Sequence, residues 1–64
     1  MEKEELYIEM ASSYECIGEY CHACRFWLRA SRYTQNIEKF IWIRKRFRRC
    51  KALMIILAQR DTHR

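Results

Sequence analysis

Residues 40–57 of the chain read FIWIRKRFRRCKALMIIL, and this stretch decides the fold. Apolar or small side chains recur along it every three or four positions, the spacing that lines one face of an α-helix. The spacing predicts a helix over about residues 37–60 with this stripe: Phe40, Ile43, Phe47, Cys50, Met54 and Leu57. Further large apolar side chains point away from the stripe, so this helix requires two packing partners.

A similar stripe occupies the preceding half of the chain. It has the same spacing and consists of Tyr7, Met10, Tyr14, Ile17, Cys21, Cys24 and Leu28. We therefore predict a first helix over about residues 3–32. Gly18 lies off the stripe inside this helix, where glycine costs about 1 kcal/mol relative to alanine.

The two stripes are out of register by five positions, which favours a break over one continuous rod. The break falls at about residues 33–36, where Thr34 or Asn36 can cap the next helix. The sequence thus predicts an all-α fold, a single domain over residues 1–64 built as an antiparallel two-helix hairpin. One long helix that pairs with other chains remains the alternative, since the turn contains neither glycine nor proline.

Composition narrows the fold and function classes. The 64 residues include one glycine and no proline, so β-hairpin turns and glycine-rich phosphate loops are not expected. A chain of this length buries only about 60% of its unfolded surface and is marginal alone. We expect a disulfide, a metal ion or a second copy to stabilise it.

A second copy is the preferred stabiliser, because two helices side by side enclose no core. The sequence predicts a homodimer with two-fold symmetry, in which two hairpins form a four-helix bundle. The expected interface consists of Phe40, Ile41, Trp42, Ile55, Ile56 and Trp27. The alternative is a chain that folds only on a larger host protein.

The four cysteines offer two further stabilisers. Cys21, Cys24 and Cys50 fall on the predicted core stripes, and a disulfide between Cys21 and Cys50 is conceivable. Buried free thiols are preferred, because no secretory signal is present. A zinc site would need Cys21, Cys24 and Cys50 with His22 or His63, yet His22 points about 100° away from Cys21 on a helix. We therefore predict no metal ion and no cofactor.

No residue set predicts catalysis. Glu15, Glu19 and His22 share one helix face, but that face is expected to be solvated. Cys21 and His22 are neighbours in sequence, so they do not lie in hydrogen-bond register on a helix. We predict that the protein is not an enzyme.

Charge is the strongest indication of function. The net charge is +5, and six bases fall within residues 44–51. The predicted binding residues are Arg44, Lys45, Arg46, Arg48, Arg49 and Lys51, joined near the turn by Arg25, Arg29 and Arg32. Such a density is typical of surfaces that bind anions. The alternative is that these cations bind no partner and only keep the protein soluble.

These features favour a small regulatory protein that binds an acidic protein or nucleoprotein partner, such as an inhibitor of a nucleic-acid-processing machine. A sequence-tolerant nucleic-acid-binding dimer is the second hypothesis, and a thiol–zinc module is the third.

The sequence gives no sign of membrane insertion. The longest apolar run, Ala52–Ala58, is far shorter than the roughly 20 residues that a spanning helix needs. The N-terminal residues are acidic rather than signal-like, so we expect a cytoplasmic protein with little membrane association.

Overall fold

The computed structural model describes residues 2–62, which fold into three α-helices: α1 (Lys3–Cys16), α2 (Tyr20–Tyr33) and α3 (Ile37–Thr62). No strand occurs within this range, so the all-α prediction is confirmed. The prediction of two helices is wrong, because the expected first helix is two helices. α1 and α3 each pack antiparallel to α2, and the Cα atoms span 43 × 20 × 14 Å.

Gly18 ends α1 and thereby separates it from α2. Its φ is +83°, in the left-handed region where glycine has no Cβ penalty. The Gly18 N–H donates to the Glu15 carbonyl (3.1 Å), and the Glu19 N–H donates to the Tyr14 carbonyl (2.8 Å). Together these two bonds form a Schellman motif, which satisfies the last carbonyls of α1. The predicted continuous helix over residues 3–32 is therefore interrupted by its own glycine.

Substitutions at Gly18 test this turn. A Cβ at position 18 would meet no atom within 4 Å, so the penalty arises from the backbone alone. We expect Gly18→Ala to lower the free energy of unfolding by about 1–2 kcal/mol, and Gly18→Asn to lower it by less, because asparagine tolerates left-handed backbone. Urea denaturation followed by circular dichroism measures both values. Equal stability of the alanine variant and the parent chain would contradict the assigned turn.

The second turn lies where the sequence placed it. Residues 34–36 are non-helical, and α3 begins at Ile37. The Lys39 N–H donates to the Asn36 side-chain Oδ1 at 2.9 Å, and the Phe40 N–H donates to the Asn36 carbonyl at 2.8 Å. Asn36 is therefore the N-cap of α3, one of the two caps predicted.

The core is centred on α2, which packs against both other helices. Trp27 is the largest of its fully buried side chains, and most of the others are small. The fully or almost fully buried hydrophobic residues are Ala11, Ala23, Cys24, Trp27, Ala30, Ile43 and Cys50. Three of these are alanines, so little large apolar surface holds the bundle together.

Aromatic rings fill the seam between α1 and α2. Tyr14 stacks on Phe26 with 5.5 Å between ring centroids, and it also stacks on His22 at 5.0 Å. Tyr7 contacts Phe26 at 6.0 Å and Tyr33 at 5.6 Å. Tyr7, near the start of α1, thus contacts the last residue of α2, whereas Tyr14, near the end of α1, contacts the first turn of α2. The two helices therefore run antiparallel.

α3 is much longer than the helices that it joins. Its 26 residues rise about 39 Å, whereas the 14 residues of α1 or α2 rise about 21 Å. Because α3 starts beside the end of α2, its C-terminal part extends beyond the bundle. We call residues 51–62 the overhang. None of the helices within residues 2–62 is long and apolar enough to cross a membrane.

Candidate functional site

Glu15 is the centre of a polar cluster that joins all three helices. Its Oε1 accepts hydrogen bonds from the Trp27 Nε1 (3.1 Å) and the Cys50 Sγ (3.3 Å). Its Oε2 accepts a 2.6 Å hydrogen bond from an Arg46 guanidinium nitrogen. The Glu15 side chain is only 11% exposed. The expectation that Glu15 belongs to a solvated face is therefore wrong.

Arg46 belongs to this cluster and not to the outer surface of α3. Its guanidinium lies 5.8 Å from the Trp27 ring centroid, within cation–π distance. Its Nε is buried and has no hydrogen-bond partner within the described residues. Although the sequence grouped Arg46 with the partner-binding cations, the structure places it half-buried against Glu15 and Trp27.

A second ion pair joins α1 to α3 near the first turn of each helix. The Lys39 Nζ lies 2.6 Å from Glu4 Oε1. The hydrogen bond from Lys39 lowers the pKa of Glu4, and the same bond raises the pKa of Lys39. Lys39 is thus engaged within the chain, like Arg46.

The four thiols divide into two buried and two exposed groups. Cys24 and Cys50 are buried, Cys16 and Cys21 are exposed, and all four are free. The predicted core position of Cys21 is therefore wrong, because the break at Gly18 shifts the register of α2. No group of three or more metal-binding side chains comes together within the part of the chain that the structure describes, which excludes His63.

The buried thiols predict a pH dependence of stability. Burial and the Glu15 carboxylate raise the pKa of Cys50 from 9.0 to about 12, and burial raises the pKa of Cys24. Above about pH 9 the unfolded chain loses protons that the folded chain retains, so stability falls as the pH rises toward 12. We expect the urea midpoint to fall more steeply across this window in the parent chain than in Cys50→Ala. Equal slopes would contradict the shifted thiol.

The outer surface of α3 carries the remaining cations of the basic run. We call Arg44, Lys45, Arg48, Arg49 and Lys51 the basic face. Among the described side chains, those of residues 2–60, none of the five lies within ion-pair distance of a carboxylate. All are exposed except Arg44, which is half-buried where its guanidinium lies 5.3 Å from the Phe47 ring centroid. The basic face is therefore available to anions from outside the chain.

A shallow groove of about 460 Å³ lies on the basic face. Its walls are the side chains of Phe40, Ile41, Arg44, Lys45 and Arg48. These residues come from two turns of α3, so one side of the groove is open to solvent. The groove combines an apolar end with a cationic end, whereas the sequence predicted separate roles for these residues, Phe40 and Ile41 in a dimer interface and the cations in partner binding.

The cations of α2 form a different surface. Arg25, Arg29 and Arg32 are exposed. The Arg29 guanidinium lies 5.4 Å from the ring centroid of Phe26, whose ring stacks on Tyr14 of α1. Arg29 thus leans toward α1, away from the basic face of α3.

The residues predicted to form a dimer interface fall into two classes. Phe40, Ile41, Trp42, Ile55 and Ile56 are between 42% and 50% exposed, so the structure leaves each of them open to a further partner. Trp27 is fully buried, with its ring edge-on to Trp42 at a centroid distance of 5.4 Å. Trp27 therefore belongs to the core of the bundle and not to its surface.

No protein-family model, curated protein or solved structure matches the chain.

Proposed function

We propose that this protein is a non-enzymatic binding module that acts by occupying an acidic protein or nucleoprotein partner through the basic face of α3. The observation that carries the proposal is a helix surface with five neighbouring cations and no carboxylate within ion-pair distance among the side chains of residues 2–60. The bundle already uses Arg46 and Lys39 internally. It leaves the basic face exposed, where an acidic partner would relieve the repulsion between like charges.

The groove supports a partner with both acidic and apolar side chains. Phe40 and Ile41 form its apolar end, and Arg44, Lys45 and Arg48 form its cationic end. An acidic segment with one projecting aliphatic side chain would match both ends. Interface centres of this kind, in which apolar anchors lie beside arginine, are enriched among protein–protein contacts.

A regulatory role follows from stoichiometric binding. Some molecular machines are assembled or controlled through an acidic surface. A protein that binds such a surface blocks it, and no catalytic step is needed. Inhibition of a nucleic-acid-processing machine is the form of this role that the size and charge of the chain favour. Exposed free thiols at Cys16 and Cys21 suit the reducing cytoplasm.

Binding to a defined acidic probe tests the proposal. The probe is a fluorescein-labelled 20-residue peptide with glutamate and leucine at helical spacing, titrated with the full chain and followed by anisotropy. We expect Arg48→Glu/Arg49→Glu to weaken binding at least about tenfold, which corresponds to about 1.4 kcal/mol. The matched control is Arg29→Glu/Arg32→Glu, which changes the net charge equally on α2.

Two outcomes would overturn the proposal. Equal loss of affinity in both variants would show that net charge alone attracts the probe. The second outcome is that a random 20-base-pair duplex DNA binds more tightly than the peptide and loses affinity steeply as the salt concentration rises. This result would show that the partner is nucleic acid and not an acidic protein.

We also propose that the chain self-associates, because α3 exposes large apolar side chains at both ends of the basic face. Ile41 and Trp42 precede this face, and Ile55 and Ile56 follow it, all close to half-exposed. A second copy covering part of this surface would supply the apolar burial that so small a core lacks.

A further inference from the structure

The overhang of α3 carries large apolar side chains that the bundle leaves close to half-exposed. We propose that two copies pair antiparallel, overhang against overhang, so that the dimer presents its two basic faces at opposite ends as a bivalent binder of acidic sites. This inference rests on the proposed binding function for the role of the basic faces. The pairing itself is independent of that function.

The composition of the overhang fits a second copy better than an acidic partner. Residues 52–59 carry no charge, although they follow six bases in residues 44–51. Ile55, Ile56 and Leu57 are 45%, 50% and 42% exposed, and Leu53 and Met54 are half-buried. An acidic segment would gain no ion pair here, whereas an identical uncharged segment meets no like charge.

Charge also fixes the register of the pairing. An antiparallel pair that matched Ile41 of one copy with Ile55 of the other would be centred on Arg48. That register would place the two basic faces directly against each other, where like charges repel. Centring the pair near Ile56 leaves Arg44, Lys45, Arg48 and Arg49 of both copies outside the contact, with Lys51 at its edge. The pairing therefore excludes Ile41 and Trp42, which the sequence had assigned to the interface.

The turn between α1 and α2 completes the contact surface. Because Glu15 contacts Cys50, this turn lies beside the base of the overhang. Ile17 of the turn is 70% exposed. In an antiparallel pair, the end of each overhang reaches the base of the other, where Ile17 of the second copy would cover it.

Size predicts how tightly the copies associate. The overhang rises only about 18 Å, so its contact is smaller than the roughly 800 Å² per partner of standard interfaces. We expect a dimer with a dissociation constant in the micromolar range, which dilution separates. The centres of the two basic faces would lie about 27 Å apart along the helix axis, since each lies about nine residues from Ile56.

Spin-label distances test the register. In a Cys16→Ser/Cys21→Ser background, only buried thiols remain, and labels are placed at Lys45→Cys, Arg48→Cys or Ala52→Cys. The antiparallel overhang pair predicts axial separations of about 33, 24 and 12 Å in that order. Equal distances at the three positions would show parallel pairing. A minimum at Arg48 would show pairing centred on the basic face, and either result would overturn the proposal.

A matched pair of variants separates dimerisation from partner binding. Ile56→Glu and Ile41→Glu each place a carboxylate at a half-exposed isoleucine of α3. We expect Ile56→Glu to sediment as the 8.0 kDa monomer and to bind one acidic peptide, and Ile41→Glu to remain dimeric with weakened peptide binding. Circular dichroism checks that both variants are folded.

The outcomes for the two proposals differ. A dimeric Ile56→Glu protein, or a parent chain that is monomeric at several hundred micromolar, would overturn the bivalent dimer and leave single-site binding intact. A parent chain that forms the dimer but does not bind the acidic peptide would overturn the proposed function alone.

Discussion

Replacing Glu15 with alanine is expected to lower the free energy of unfolding by about 2–4 kcal/mol, a large part of the roughly 3–5 kcal/mol that so small a core can supply. The substitution removes the acceptor of three hydrogen bonds at once. It leaves Arg46 as a half-buried cation without its carboxylate and leaves the Trp27 N–H without an acceptor. Buried donors without partners are costlier than exposed ones, because water cannot replace the lost bond.

Glu19→Ala is the matched control for this prediction. Glu19 lies four residues away with a 58% exposed side chain, which pairs with His22 at 3.8 Å. We expect its removal to change stability by less than about 0.5 kcal/mol. Urea denaturation of both variants measures the difference. Similar midpoints for the two alanine variants would show that the polar cluster does not hold the helices together.

Replacing Trp27 with alanine is expected to lower the free energy of unfolding by about 3–5 kcal/mol. Trp27 is the largest of the fully buried side chains, and it contacts Glu15, Arg46 and Trp42. Because its neighbours in the core are mostly alanines and thiols, little can collapse into the cavity that it leaves. No other side chain of the core can therefore fill the volume of the Trp27 ring.

Trp42→Ala is the control for this prediction, because it also removes a tryptophan ring but one that is not buried. Trp42 touches Trp27 but is 46% exposed, so its truncation forms no enclosed cavity. We expect a loss of about 1–1.5 kcal/mol from the edge-to-face contact and the partial burial. Thermal unfolding followed by circular dichroism compares the two variants. A larger effect at Trp42 than at Trp27 would contradict the assignment of Trp27 as the centre of the core.

Helix type and the second turn could be predicted from the sequence, whereas the first turn could not. The stripe through Tyr14, Ile17 and Cys21 keeps helical spacing across the break, so periodicity alone indicates one helix. The available signal was Gly18 itself, since glycine is the preferred residue just after a helix end. Because Gly18 lies off an uninterrupted stripe, the spacing predicts a helix-interior glycine that costs about 1 kcal/mol relative to alanine.

The polar cluster at Glu15 could not be found from spacing. Its members, Glu15, Trp27, Arg46 and Cys50, lie on three helices and are separated by up to 35 positions. A stripe analysis ranks residues by hydrophobicity and therefore assigns a glutamate beside the stripe to solvent. Only the three-helix packing brings the carboxylate to the indole, the guanidinium and the thiol.

The exposed surface of α3 was predicted more closely. Excess apolar residues at Ile41, Ile55 and Ile56 indicated faces that the first stripe could not cover, and the structure leaves all three about half-exposed. Their spacing could not show that α3 extends beyond its neighbours, because the lengths of α1 and α2 depend on the break at Gly18. The overhang is thus a consequence of that turn.

The bundle closes internally through Glu15 and Trp27 and leaves two separate surfaces of α3 exposed, one at the groove and one at the overhang. Isoleucine methyl spectra of the full chain, recorded during dilution and then during addition of the acidic peptide, test this claim most directly. Dilution is predicted to shift the methyls of Ile55 and Ile56, and the peptide those of Ile41, with Ile43 unmoved in both. Unchanged Ile55 and Ile56 methyls on dilution, or an Ile43 methyl that shifts with either treatment, would contradict it.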